Sequence, residues 1–219
     1  MFLNVYRDLE DGDLFEALGY DIVIQRRTLP AVCFPTGKLV ACDPLTHPTT
    51  EPFDFELEPG NYPVRLIIAQ LRDEARLAQA ILEIHPEPAK RWEVATVPGE
   101  DTSLLSEDDH GYSVVSSLAC FMDVETAAHM IQYGELVLDD DDNEVEKQLK
   151  IQQRKALTRG LCFNKIAHPA LGEGHIALFS SGYGEGLYRT WIGRDAEGKI
   201  TRVVTDFEVL EMRFPSFSF

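Results

Sequence analysis

The stretch that most constrains the fold runs from Leu178 to Leu210, LFSSGYGEGLYRTWIGRDAEGKITRVVTDFEVL. It holds a glycine-rich turn, Ser181-Gly182-Tyr183-Gly184-Glu185-Gly186. Two runs of β-branched and aromatic residues follow, split by a second turn at Asp195-Ala196-Glu197-Gly198. Such runs, bounded by glycine and aspartate, read as strands. The glycine turn predicts a tight bulged hairpin, because alternate glycines permit positive φ and close backbone approach. A phosphate loop fits poorly. No helix opens after the glycines, no Lys stands among them, and Glu185 would repel phosphate.

The same punctuation recurs upstream. Strands are expected at Tyr20–Gln25, on either side of the turn Pro35–Lys38, at Phe53–Leu57, Tyr62–Gln70, Ala75–Ile84, Arg91–Val97 and within Tyr112–Met122. Phe53–Leu57 alternates strictly, which predicts one dry face; Tyr62–Gln70 is nearly all apolar, which predicts a central strand. Ala75–Ile84 has helical composition, but its place after that strand suits an antiparallel partner. The final strands are His175–Ser180, Leu187–Gly193 and Ile200–Glu211. One or two short helical turns are expected over Asn4–Leu18, and the aromatic tail Phe214–Phe219 is expected to dock on the body.

Two helices come late. Asp123 reads as an N-cap for Val124–Tyr133, which should close at Gly134. Asp139–Asp142 precedes a charged helix, Asn143–Arg159, ending at Gly160; four carboxylates suit the positive end of its dipole. The sum is one β-rich α+β domain over residues 1–219, with a mostly antiparallel sheet, two or three helices and a helical insertion at about 123–160.

The 219 residues carry a formal charge of −17, which repels nucleic-acid phosphates and anionic membranes and favours a basic partner. No apolar run approaches the roughly 18–20 residues of a membrane span. The acidic N-terminus does not read as a signal peptide. Cys33, Cys42, Cys120 and Cys162 lack metal-site spacing and read as reduced core thiols of a cytoplasmic protein. Neither a metal nor a cofactor is expected.

Chemistry, if present, would draw on Asp43, Cys120, Asp123, Glu185 and Tyr188, with Asp195 and Asp206 as further strand-end carboxylates. A thiolate at Cys120 would need a positive neighbourhood, for which His47, His110 and His175 are the candidate histidines, but its flanks are apolar. An EF-hand starting at Asp139 fails, because its twelfth position is Lys150.

Several fragments taken in order carry a resemblance: Gly37-Lys38-Leu39-Val40-Ala41-Cys42-Asp43-Pro44-Leu45, Pro59-Gly60-Asn61-Tyr62-Pro63-Val64, Cys120-Phe121-Met122-Asp123, Ser181–Tyr188 and Thr205-Asp206-Phe207. This set resembles the bacterial family known as domain of unknown function 4241. The resemblance implies no activity. The family pattern tends to Gly-Trp-Gly-Asp-Gly where this chain has Gly182-Tyr183-Gly184-Glu185-Gly186. It tends to a small acidic-glycine stretch where this chain has Val115–Ala119. If those acidic positions serve a family site, this chain has altered it, which favours binding over catalysis.

The expected function is a non-enzymatic acidic binding protein, of the kind that acts as a bacterial immunity protein and caps a basic toxin such as a nuclease effector. Asp139, Asp140, Asp141 and Asp142 are the candidate partner-binding residues. The alternatives are a hydrolase-like enzyme at the glycine turn and a ligand- or cation-binding sensor using the same acidic turn.

Overall fold

In the computed structural model, residues 8–17, 20–100, 110–137 and 143–210 are described. Thirteen strands and two α-helices are found among them, and every strand pairing is antiparallel. The strands are β1 (Leu14–Ala17), β2 (Tyr20–Phe34), β3 (Leu39–Cys42), β4 (Gly60–Leu71), β5 (Glu74–Glu83), β6 (Arg91–Val94), β7 (Tyr112–Val114), β8 (Leu118–Asp123), β9 (Phe163–Ile166), β10 (Ile176–Ser180), β11 (Gly186–Tyr188), β12 (Thr190–Arg194) and β13 (Ile200–Asp206). The helices are α1 (Val124–Leu136) and α2 (Glu144–Arg159).

A seven-stranded sheet has the order β1-β2-β4-β5-β13-β12-β6, a four-stranded sheet β3-β8-β10-β9, and β11 pairs with β7 as a small ribbon. The period-two alternation of strands assembles these into layers. Along β8, Ala119 and Phe121 join the apolar cluster that fills the space against the seven-stranded sheet, whereas Leu118, Cys120 and Met122 join the cluster that includes α1 and α2. The four-stranded sheet is therefore buried on both faces. All six residues of β8 are buried, as are all five of β10. Phe121, Phe179, Phe207 and Tyr188 form a chain of edge-on ring contacts through the first cluster.

An N-terminal strap is fastened to the seven-stranded sheet. Leu9 is buried, Asp8 pairs with Arg202, and Glu10 pairs with Arg26. Between those two arginines in strand order, Arg65 pairs with Glu83 at 2.7 Å.

The β-rich α+β class holds, and so do most elements, with instructive departures. The expected helical turns before Leu18 give way to β1 over residues 14–17, since Gly12 turns the chain at φ 87° and Leu14 pairs with Val23. The strand expected at Tyr20–Gln25 runs on to Phe34, absorbing Pro30 in an irregularity between Leu29 and Val32. Phe53–Leu57 does alternate in burial. It makes isolated backbone bonds, from the amides of Phe53 to Leu39, Asp54 to Thr96 and Leu57 to Gly37, and forms no regular strand. The strand expected within Tyr112–Met122 breaks into β7 and β8 around Ser117, whose φ is 64°. Helix α1 passes through Gly134 and ends at Leu136. The turn Pro35–Lys38 is not a hairpin, because β2 and β3 lie in different sheets. The glycine turn likewise joins β10 of one sheet to β11 of the ribbon, so it is not a bulged hairpin; the irregularity in this part of the chain falls at Gly193/Arg194, within the β12–β13 pairing. Residues 139–142 and the tail after 210 lie outside the described residues.

Candidate functional site

Three loops gather at the end of the four-stranded sheet where β3 finishes. They are residues 43–47, residues 115–117 and the glycine turn 181–186. Asp43 organises the first two. Its carboxylate is fully buried. Within its own loop it accepts the amides of Leu45 (2.9 Å) and Thr46 (3.0 Å) and the Thr46 hydroxyl (2.6 Å). Across the fold it accepts the amides of Val115 (2.9 Å) and Ser116 (2.7 Å) and the Ser116 hydroxyl (2.7 Å). Burial pushes this carboxyl up, but the hydrogen bonds from Thr46, Ser116 and Val115 outweigh it and hold the group below its ordinary value.

The loop that Asp43 holds supports the glycine turn. The Ser181 amide donates to the Ser117 carbonyl at 3.3 Å, and a Cβ on Gly184 would stand 3.1 Å from the Ser117 hydroxyl. Tyr188 closes the turn from below, its hydroxyl donating toward the carbonyls of Ser181 and Gly184 at 3.1 Å each. Burial, then the nearby Glu208, push its phenol up to about 12. Glu185 is exposed, and its carboxylate makes no hydrogen bond or ion pair among the described residues. A cleft of about 120 Å³ opens beside the turn, lined by Arg76, Tyr183 and Gly160 among others. It is smaller than the several hundred Å³ that a bound small molecule ordinarily fills.

Asp123 stands at the other end of the β3–β8 ladder, opposite Leu39. Four residues of strand separate that level from Asp43, roughly 13 Å. Its oxygens accept the Thr36 amide (2.9 Å), the Thr36 hydroxyl (2.9 Å), the Gly37 amide (3.1 Å) and, as the N-cap of α1, the Glu125 amide (3.0 Å). Asp43 and Asp123 are thus separate clamps, each saturated by donors of the loops it fastens. Asp195 caps the β12–β13 turn by accepting the amides of Glu197 and Lys199 at 2.9 Å each. Asp206 accepts from Gln79 Nε2 at 3.0 Å and from the Glu208 amide at 2.7 Å. Burial pushes its carboxyl up to about 6 against those bonds.

The Cys120 thiol lies opposite Cys42 in the β3–β8 register, with 3.8 Å between the sulfurs. Burial, then its neighbour Cys42, raise the Cys120 thiol well above its ordinary value. His175, one of the histidines considered for it, accepts the Cys33 amide at 2.9 Å. His110 is held by Glu100, Nδ1 to Oε1 at 3.0 Å. His47 lines a cavity of about 330 Å³, with Cys42, Glu51, Phe53 and Glu100 among the other lining residues.

The sequence reading missed Thr46, Ser116 and Thr36 as partners of the carboxylates. Asp43 followed by Thr46 is a local Asx-turn signal. Ser116, 73 residues away, gives none. Among the described residues no group of three or more His, Cys, Asp or Glu is placed to hold a metal ion, and no helix is long and apolar enough to cross a membrane.

The class defined by this fold and these clamps is a β-rich α+β domain with a four-stranded sheet sandwiched between a larger sheet and two helices. The family described as Protein of unknown function (DUF4241) matches residues 32–205, and the chain belongs to it. The match takes in β3 through β12 and nearly all of β13, both clamps and the glycine turn. No curated protein and no solved structure matches the chain.

Proposed function

We propose that the protein is a non-enzymatic acidic binding protein that acts by direct contact with a basic protein partner, in the manner of a bacterial immunity protein capping a toxin such as a nuclease effector. The observation that carries the reading is the state of the reactive candidates. Asp43 and Asp123 spend their oxygens on their own loops, roughly 13 Å apart along the ladder. The Cys120 thiol is buried, and burial, then its neighbour Cys42, push it well above its ordinary value. The two carboxylates are committed to holding loops in place, which suits a rigid recognition surface better than a reaction centre. The net charge of −17 supplies the complementary term, since it accelerates encounter with a cationic surface and disfavours nucleic acid and anionic membranes.

The test uses the protein encoded immediately upstream of this chain's gene, purified alone and with the chain. The reading expects a stable complex on gel filtration, an association rate that falls as salt rises from about 0.05 to about 0.5 M as the Debye length shortens, and protection of cells from that neighbour's toxicity. A basic neighbour that neither binds nor is neutralised overturns it.

A further inference from the structure

We propose that Cys42 and Cys120 form an oxidisable dithiol that closes to a cross-strand disulfide in the folded protein. The two residues face each other directly in the antiparallel β3–β8 pairing, and their sulfurs are 3.8 Å apart. Directly opposed antiparallel residues have Cα atoms about 4.5–5.5 Å apart, inside the span of about 4.4–6.8 Å that a disulfide bridges. Both side chains point to the same layer, the apolar cluster shared with α1 and α2, so closure needs a rotation about each Cα–Cβ bond and no change of register. Both thiols are buried, and Cys42 is the one placed beside a cavity. β3 is the edge strand of its sheet, and Cys42 at its end lines the cavity of about 330 Å³ that also carries His47 and Glu51, whereas Cys120 lies inside the sheet.

The reaction balances with a hydroperoxide as oxidant. The Cys42 thiolate attacks the nearer peroxide oxygen, the O–O bond breaks, and the departing oxygen takes a proton and leaves as water or an alcohol. Cys42 is then a sulfenic acid. The Cys120 sulfur attacks the Cys42 sulfur, the S–S bond forms, the S–O bond breaks, and the hydroxyl leaves as water with the Cys120 proton. Two electrons pass from the dithiol to the peroxide. Because burial holds the Cys120 thiol up, closure accelerates with rising pH. The product would pin edge strand β3 to β8 beside Asp43, and so fix the end of the sheet where the three loops meet.

The test treats the folded full-length chain with hydrogen peroxide and reads intact mass, a non-reduced peptide digest and thermal unfolding. The proposal expects a loss of two hydrogens, a cross-linked peptide pair containing Cys42 and Cys120, reversal by dithiothreitol and a higher thermal midpoint in the oxidised form. Cys42→Ser and Cys120→Ser each abolish the cross-link, and circular dichroism of each variant verifies that it is folded. Cys33, half-buried and on another strand, is the internal control for oxidant access. The proposal is overturned by oxidation of Cys33 without the cross-link, by a cross-link through Cys33 or Cys162, or by a Cys42–Cys120 bond that forms only in denaturant.

Discussion

Asp43 accepts both the amide and the hydroxyl of Ser116, each at 2.7 Å, so a carboxylate at the end of one strand sets the starting point of another 73 residues later. The glycine turn rests on Ser117, the next residue, and inherits its position from that pair. One buried charge therefore fixes three loops. Such an arrangement costs little while every donor finds its acceptor, and much when one partner is removed.

Asp43→Ala leaves six donors without their acceptor, from Leu45, Thr46, Val115 and Ser116. The expected loss of unfolding free energy is roughly 3–5 kcal/mol, and Asp43→Asn should lose about half of that. The pH dependence has a definite sign. The folded carboxyl is held below its ordinary value, so its contribution is fully present above the unfolded pKa of about 3.9 and is lost as pH falls through the lower folded one. In urea titrations, the gap between the native chain and Asp43→Asn should be constant from about pH 5 to 8 and narrow below about pH 4. An unchanged midpoint in Asp43→Ala would show that the clamp carries no stability.

Gly37 and Gly12 separate two demands on glycine. Both have positive φ, 76° and 87°. A Cβ at Gly37 would lie 2.0 Å from the Leu57 carbonyl oxygen, whereas at Gly12 it would meet nothing within 4 Å. Gly12→Ala pays only the backbone term, roughly 1 kcal/mol. Gly37→Ala adds a clash that must displace either the Phe53–Leu57 segment or the Asp123 clamp, and should cost roughly 3–5 kcal/mol. Chemical denaturation of both variants checks this; equal losses would mean that the Leu57 contact yields freely.

Much of this fold is legible in the sequence wherever a local rule decides it. The apolar run of β4 and the short reversal into β5 give the centre of the large sheet, because a strand buried on both faces needs no polar alternation. The caps Asp123, Asn143 and Gly160 mark helix ends through their own side chains or φ. Gly134 misleads because it looks like a stop signal, yet it sits in the last turn of α1 facing the α2 cap residue Asn143. Short β9, pairing with β10, escapes notice, since Phe163–Ile166 follows the Gly160 cap without a turn signal of its own. Sheet membership is not legible at all. Pro35–Lys38 and the glycine turn have hairpin chemistry, but each carries the chain between sheets, a choice made by packing far away in sequence. For the site, aspartates at strand ends are visible as residue types. Whether they converge on a reaction or clamp separate loops depends on Ser116, Thr36 and Gln79, which no spacing rule connects to them.

Asp206 predicts a pH dependence opposite to that of Asp43. It is buried beside Gln79 and Glu208, and burial pushes its carboxyl up to about 6. The folded chain then keeps a proton at a pH where the unfolded chain, titrating near 3.9, has released it. Stability contributed by this group is fully present below about pH 4, falls as pH rises toward about 6, and is flat above. Asp206→Asn mimics the protonated form at every pH, and its amide oxygen can still accept the Glu208 amide. Measured against the native chain, the variant should therefore gain on going from about pH 4 to about pH 7, by at most about 3 kcal/mol for a shift of this size. The Arg189 charge nearby works against the shift, so Arg189→Gln should enlarge the pH-dependent part. Urea midpoints at the two pH values decide the matter. If Asp206→Asn differs from the native chain equally at both, the Asp206 carboxyl is ionised in the folded protein at both, and the Gln79 and Glu208 donors offset its burial.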